Sequence, residues 1–241
     1  GTFLMFTFEM KPGALTLADL RRIYSAPVEL SLSPAATEAI KAGHAVVEKA
    51  IAEGRVIYGI NTGFGKLAKE KVSTAQLEKL QQNLILSHCT GTGYVLYERI
   101  TRLILVLKIN ALAQGYSGVR PELVDALMAL LNHEVYPRIP SKGSVGASGD
   151  LAPLAHLGAV LLGYGEVSVK GKVLPAKEGL EIAGLEPMKL APKEGLALIN
   201  GTQVSTALAL VGLFAAENCF AGAMIAGALS IEAAKGSPSP F

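Results

Sequence analysis

The sequence predicts a mainly α protein with one small β-hairpin near 166–174. Three observations carry that expectation. Apolar residues recur at helical spacing through several separate segments. Glu166-Val167-Ser168-Val169 and Lys172-Val173-Leu174 alternate about Lys170-Gly171, the pattern of a tight hairpin. Residues 204–231 are almost continuously apolar, enough for about eight turns of helix.

Taken in order, residues 13–17 read as a short extended segment and 17–24 as a helix. Ser33 is placed to cap the next helix, with Pro34 at the favourable first position and apolar spacing running to about Ala52. Gly54 ends it. Residues 59–65 hold three glycines and no helical period, which reads as a loop. Helices are expected at 74–90, 97–114 and 120–132, the last opened by Pro121. Pro137 and Pro140 break the chain before a glycine-dense loop at 143–149, and a helix follows over 150–163. After the hairpin come a short helix at 176–183, a loop at 193–195 and the long apolar helix at 201–235, which Ser237-Pro238-Ser239-Pro240 stops. No internal repeat stands out.

Composition narrows the function classes. A chain of 241 residues, half of them hydrophobic and only 17% charged, can bury a sizeable core. The net charge of +2, with no basic stripe, argues against nucleic acid. Cys89 and Cys219 fit neither metal-ligand spacing nor a disulfide framework, so reduced thiols in a cytoplasmic protein without a metal site are expected. The 204–231 run could cross a bilayer by length, but Glu217-Asn218 at its centre would be costly in lipid and no basic cluster flanks it. A buried helix of a large helical assembly is expected instead, with no membrane partner. The first ten residues have no basic segment and no cleavage site of small residues, so they do not read as a secretory signal.

The chemistry lies in the loop Gly143-Ser144-Val145-Gly146-Ala147-Ser148-Gly149-Asp150. Gly149 has no side chain to shield its nitrogen and reaches backbone angles closed to other residues. Its amide can attack the Ala147 carbonyl carbon and close a five-membered ring. Loss of two waters, one involving the Ser148 hydroxyl, would leave a methylidene-imidazolone, a strong electrophile. Asp150, Leu151 and Ala152 open a helix whose free N–H groups would stabilise negative charge on the ring oxygen. The same residues would also serve as an ordinary glycine-rich turn and helix cap.

Four segments, in order, favour the chemical reading. They are Tyr58-Gly59-Ile60-Asn61-Thr62-Gly63-Phe64-Gly65, then Asn83-Leu84-Ile85-Leu86-Ser87-His88, then GSVGASGDLAPLAH at 143–156, and Leu198-Ile199-Asn200-Gly201-Thr202-Gln203. Together they resemble the aromatic amino acid ammonia-lyases, from about Leu15 onward. The resemblance implies the N-terminal part of a helical-bundle ammonia-lyase fold. Residues 1–200 would be a cofactor-forming region, and 201–241 the start of the central bundle. It implies that Ala147, Ser148 and Gly149 form the cofactor autocatalytically, and that Tyr58 is the base removing the β-proton. A tyrosine titrates near 10, so its surroundings would have to activate it. Asn200 would bond the cofactor oxygen or the substrate, and could also cap the apolar helix. Asp150 would orient backbone groups during ring closure or only complement the helix dipole.

His88 bears on the substrate. Ser87-His88 and Ile60-Asn61 are similar to the histidine-specific branch, which turns L-histidine into urocanate and ammonia. Two neutral imidazoles can share a hydrogen bond, each having a donor and an acceptor. A core histidine bonded to a carbonyl is the alternative for His88, and His44, His133 and His156 read as structural. Family subunits are about twice this long and form homotetramers, whose second half adds pocket residues absent here. Alone, this chain is expected to be weakly active or inactive. A phenylalanine or tyrosine ammonia-lyase, an aminomutase with the same cofactor, and a non-catalytic helical assembly fragment stay open.

Overall fold

The structure is a computed structural model and describes residues 4–54, 74–237 and 239. Its centre is α4 (Glu98–Leu112), α5 (Pro121–Asn132) and α6 (Leu151–Leu161). Leu103, Ile104, Leu105, Val106 and Ile109 of α4 are all fully buried, as are Leu123, Val124, Leu127 and Leu130 of α5. In α6 the apolar residues cover every face rather than one stripe, and the helix is correspondingly enclosed by α3 (Thr74–His88), α7 (Ala176–Ile182) and α8 (Glu194–Ile199). The helices lie close to their expected positions: α1 spans Leu17–Ser25, α2 spans Pro34–Ala52 and α9 spans Gln203–Ala233.

The hairpin at 166–174 is present as β6 (Glu166–Val169) and β7 (Lys172–Pro175). Lys170 and Gly171 have φ of 50° and 78°, the pair of positive values that a two-residue turn matching strand twist requires. β4 (Val135–Pro137) adds antiparallel to β6. Two further pairings were not expected from the sequence. β1 (Phe6–Met10) pairs in parallel with β2 (Val28–Leu32), Phe6 opposite Val28. The Asn132 side chain extends this pair, accepting from the Leu30 amide at 2.8 Å and donating to its carbonyl at 2.9 Å. β3 (Thr92–Val95) runs antiparallel to β5 (Pro140–Lys142).

Two local expectations are corrected. Residues 13–17 are not one extended segment: Gly13 has φ of 81° in a turn, and Thr16, itself extended, caps α1 in a reciprocal box with Asp19. The expected loop at 193–195 contains the start of α8, because Lys193, in the left-handed region at φ of 74°, turns the chain directly into it.

The long helix α9 packs on α4 by its first half, burying Val204, Ala207, Leu210 and Phe214. Arg21 of α1 stacks on Phe214 and pairs with Glu217, so the charge that interrupts the apolar run is partnered within the fold. The burial expected along the whole helix stops there. Residues 215–230 are exposed, since no described residue packs over Phe220, Met224, Ile225 and Leu229. By length and composition alone α9 could cross a membrane.

Candidate active site

The candidate tripeptide sits where α6 and α9 begin side by side. Ala147 and Ser148 are exposed, Gly149 is half-buried and Asp150 is buried. Ser148 has φ of 64° and Gly149 φ of 112°, so two successive residues occupy the left-handed half of backbone space, which only the glycine enters without strain. Gly149 lies against Gly201 in an isolated parallel bridge, and the Asp150 amide donates to the Gly201 carbonyl at 2.8 Å. A Cβ on Gly149 would stand 2.6 Å from that carbonyl oxygen and 2.7 Å from the Gly201 nitrogen, closer than carbon can approach either. The seat accepts glycine alone. Gly149 thus fits a ring that would be closed through its nitrogen in one respect, since no side chain can stand there to shield that nitrogen.

Asp150 occupies the N-cap of α6 without a side-chain bond to that helix. Its carboxylate instead accepts from the Ser144 hydroxyl at 2.6 Å through Oδ1, and from the Ser205 amide and hydroxyl at 2.8 and 2.9 Å through Oδ2. One buried carboxylate thus ties the loop's beginning to the first turn of α9, both of its oxygens hydrogen-bonded, by three donors in all.

Asn200 is the C-cap of α8, at φ of −83° and ψ of 144°, and its Nδ2 donates to the Leu196 carbonyl at 3.3 Å. The expectation that it caps the apolar helix is corrected, because Thr202 is the residue at the N-cap of α9. The Asn200 carbonyl accepts from Nζ of Lys108 at 2.6 Å. Lys108 is 1% exposed, and burial pushes its pKa down from 10.5 to about 7.

His88 ends α3, half-buried, with Nδ1 2.8 Å from the Leu84 carbonyl. The segment after it is carried to the loop by the pairing of β3 with β5, which sets Thr92 opposite Lys142. Gly91 there donates its amide to Nε2 of His156 at 3.1 Å, and a Cβ on Gly143 would lie 3.2 Å from the Gly91 Cα. His156 thus joins the two loops, while His44 and His133 bond the Gly118 and Ala129 carbonyls. Tyr58 and the glycine loop around it lie outside the described residues. The structure brings Gly149, Asp150 and Asn200 into contact through Gly201, and carries the chain beyond His88 to the start of the loop at Gly143. No cluster of metal-ligating side chains occurs among the described residues.

A family model for aromatic amino acid lyases matches residues 15–241. The chain belongs to the aromatic amino acid lyase family. Among curated relatives, it is 59% identical over 233 residues to the histidine ammonia-lyase of Desulfotalea psychrophila and 55% identical over 237 residues to that of Vibrio cholerae. Each alignment covers 97–98% of this chain and 46% of the relative. The chain therefore spans about half the length of the curated relatives it matches. Among solved structures, the histidine ammonia-lyase of Trypanosoma cruzi superposes with a TM-score of 0.88 at 36% identity, over 98% of this chain and 46% of that one. A Pantoea agglomerans phenylalanine aminomutase gives 0.86 at 30% identity, over 94% and 44%.

Within this aromatic amino acid lyase chain, the sequence reading missed Ser144, Ser205 and Lys108 as neighbours of the motif residues. A signal existed for Lys108 alone, as the one charge inside the apolar run Ile104-Leu105-Val106-Leu107-Lys108-Ile109.

Proposed function

We propose that the whole protein removes ammonia from L-histidine to give urocanate, and that Ala147, Ser148 and Gly149 condense into its methylidene-imidazolone cofactor. The seat of Gly149 against Gly201 carries this reading: a backbone nitrogen free of side-chain shielding is held in a conformation suited to glycine alone. Once formed, that ring supplies the electrophile that ammonia elimination needs and no ordinary side chain offers.

The rest falls to the chain's own groups. The first free amides of α6 point their positive dipole end at the loop, which favours negative charge there. Asp150, held by Ser144 and Ser205, fixes the loop to α9. Asn200 presents an amide for the substrate's polar groups, and His88 an imidazole for its ring. Tyr58 is the base in this reading, taking the β-proton on its phenolate oxygen. Residues 1–200 form the cofactor-forming region and 201–241 begin the central bundle. The identity to curated histidine ammonia-lyases, well above that to the aminomutase, supports histidine as substrate. The bare apolar face of α9 supports packing against further helices, whether of the rest of the protein or of another copy in a homo-oligomer, and the two free cysteines support a cytoplasmic location.

Intact mass of the whole protein with peptide mapping tests the reading. The expected result is a deficit of two water masses confined to the peptide holding Ala147, Ser148 and Gly149, with urocanate formed from histidine and no comparable product from phenylalanine or tyrosine. A folded whole protein of full mass would overturn it.

A further inference from the structure

Lys108 stands apart from every other lysine in the described chain. It is 1% exposed in the C-terminal half of α4, its amine makes no ion pair among the described residues, and its one hydrogen-bond acceptor there is the Asn200 carbonyl at 2.6 Å. A lone amine in an apolar helix is costly to bury and ordinarily finds a carboxylate. Here it is aimed at one backbone oxygen, and that oxygen belongs to the peptide linking Asn200 to Gly201. The next carbonyl along, that of Gly201, accepts the Asp150 amide at 2.8 Å, and Gly201 is the residue against which Gly149 is seated. From the lysine nitrogen to the candidate ring-forming glycine there are thus two hydrogen bonds and one residue of backbone.

We propose that Lys108 is a positioning residue for the Ala147-Ser148-Gly149 loop, acting through the Asn200–Gly201 peptide. Two effects follow from a donor at that carbonyl. It fixes the plane of a peptide next to Gly201, whose φ of 120° lies in a region where glycine is free to swing. It also polarises the peptide, strengthening the Gly201 amide that faces Gly149. Asn200 spends its own Nδ2 on Leu196, and Oε1 of Gln203, buried and unpaired beside Gly201, is an acceptor and offers that carbonyl nothing. Lys108 also borders a cavity of about 280 Å3 lined by Ser117, Lys193, Asn200 and Gln203, which leaves room for a larger cationic head.

This inference rests on the proposed cofactor for one of its two readouts. The test compares Lys108→Met, which keeps the stem and removes the donor, with Lys108→Arg, which keeps a cationic donor, in the whole protein. Amide hydrogen exchange is followed at Asp150 and, as a control, in α5; intact mass gives the fraction short of two waters. Lys108→Met is expected to speed exchange at Asp150 about tenfold, the loss of about one hydrogen bond, with α5 unchanged and the dehydrated fraction falling below half that of the parent. Lys108→Arg is expected to restore both. Unchanged exchange at Asp150 in Lys108→Met would overturn the proposal. So would equal loss of protection across α5, or failure of arginine where methionine fails. A parent protein of full mass would sink the cofactor reading instead, and the exchange arm would then decide the role of Lys108 by itself. If Lys108→Met does not fold, Lys108→Gln takes its place, with a neutral donor and the same expected ranking below arginine.

Discussion

The ring nitrogen Nδ1 of His88 lies 2.8 Å from the carbonyl oxygen of Leu84, one turn back along α3. A carbonyl only accepts, so Nδ1 carries the proton, and in the neutral ring Nε2 keeps a lone pair for an incoming donor. An imidazole N–H of bound histidine would meet that acceptor. Replacing His88 by Phe in the whole protein is expected to lower kcat/KM for histidine about tenfold to a hundredfold. Turnover of phenylalanine relative to histidine should rise, as steady-state assays of both would show. An unaltered preference for histidine would remove His88 from the pocket.

Gly149 and Gly146 share a positive φ but differ in surroundings. Nothing lies within 4 Å of a Cβ on Gly146, whereas on Gly149 it meets the Gly201 backbone at 2.6 Å. Gly146→Ala is expected to cost about 1–2 kcal/mol, the strain of the left-handed region alone. Gly149→Ala adds a clash with backbone and should cost at least about 1 kcal/mol more. Thermal unfolding of the two variants measures the gap, and equal losses would mean that Gly201 does not hold its close approach in solution.

The pH dependence of stability should carry the signature of Lys108, whose pKa burial lowers to about 7. In the unfolded chain the same amine titrates near 10.4. Below about 7 both states are charged, and the folded state bears the full cost of a buried ammonium. Between about 7 and 10.4 the unfolded state holds the extra proton, so this group's contribution to stability rises with pH until the cost is gone. Lys108→Met lacks the effect. The melting temperature of the parent minus that of the variant should therefore increase by roughly 5 °C between about pH 6 and about pH 9, and a flat difference would contradict the buried ammonium.

Glu194 and Arg120 form an ion pair whose members differ in exposure, the Glu194 side chain being 1% exposed and that of Arg120 31%. Glu194 accepts from Nε and Nη2 of Arg120 at 3.0 and 2.8 Å, and also from the Arg120 and Ala191 amides. Removing the arginine strands a buried carboxylate, while removing the glutamate leaves a guanidinium that reaches water and the Lys189 carbonyl. Arg120→Ala is thus expected to destabilise by about 3 kcal/mol, and Glu194→Ala by less. Denaturant unfolding of both variants gives the order, and the reverse order would count against this account.

Long periodic segments were legible in the sequence because each declares itself within one stretch of chain. Helices α2, α4, α5, α6 and α9 and the 166–174 hairpin fall within a few residues of expectation for that reason. β3, β4 and β5 have only three or four residues each, β4 and β5 contain proline, and their partners lie tens of residues away, so nothing local marks them. The alternation of Phe6, Phe8 and Met10 with polar residues was a readable strand signal that went unused. α8 is six residues long, too short for a helical period to show. For the candidate site, motif order pointed to the loop and to Asn200. It could not supply Ser144, Ser205 or Lys108, because their importance comes from what the fold carries to them: the Asp150 carboxylate to both serines and the Asn200 carbonyl to the lysine.

The pairing of Gly149 with Gly201 has a consequence in time. The loop owes its shape to residues some fifty positions further along, Gly201 at one side and Ser205 at the other. While the chain is being made, the tripeptide emerges well before either of them and so lacks the contacts that shape it. Under the proposed chemistry, a nascent or unfolded chain would be inert, and the electrophile would arise only where the start of α9 has already docked. Folding would then act as the licence for reactivity, sparing the cell a reactive group on unfinished protein.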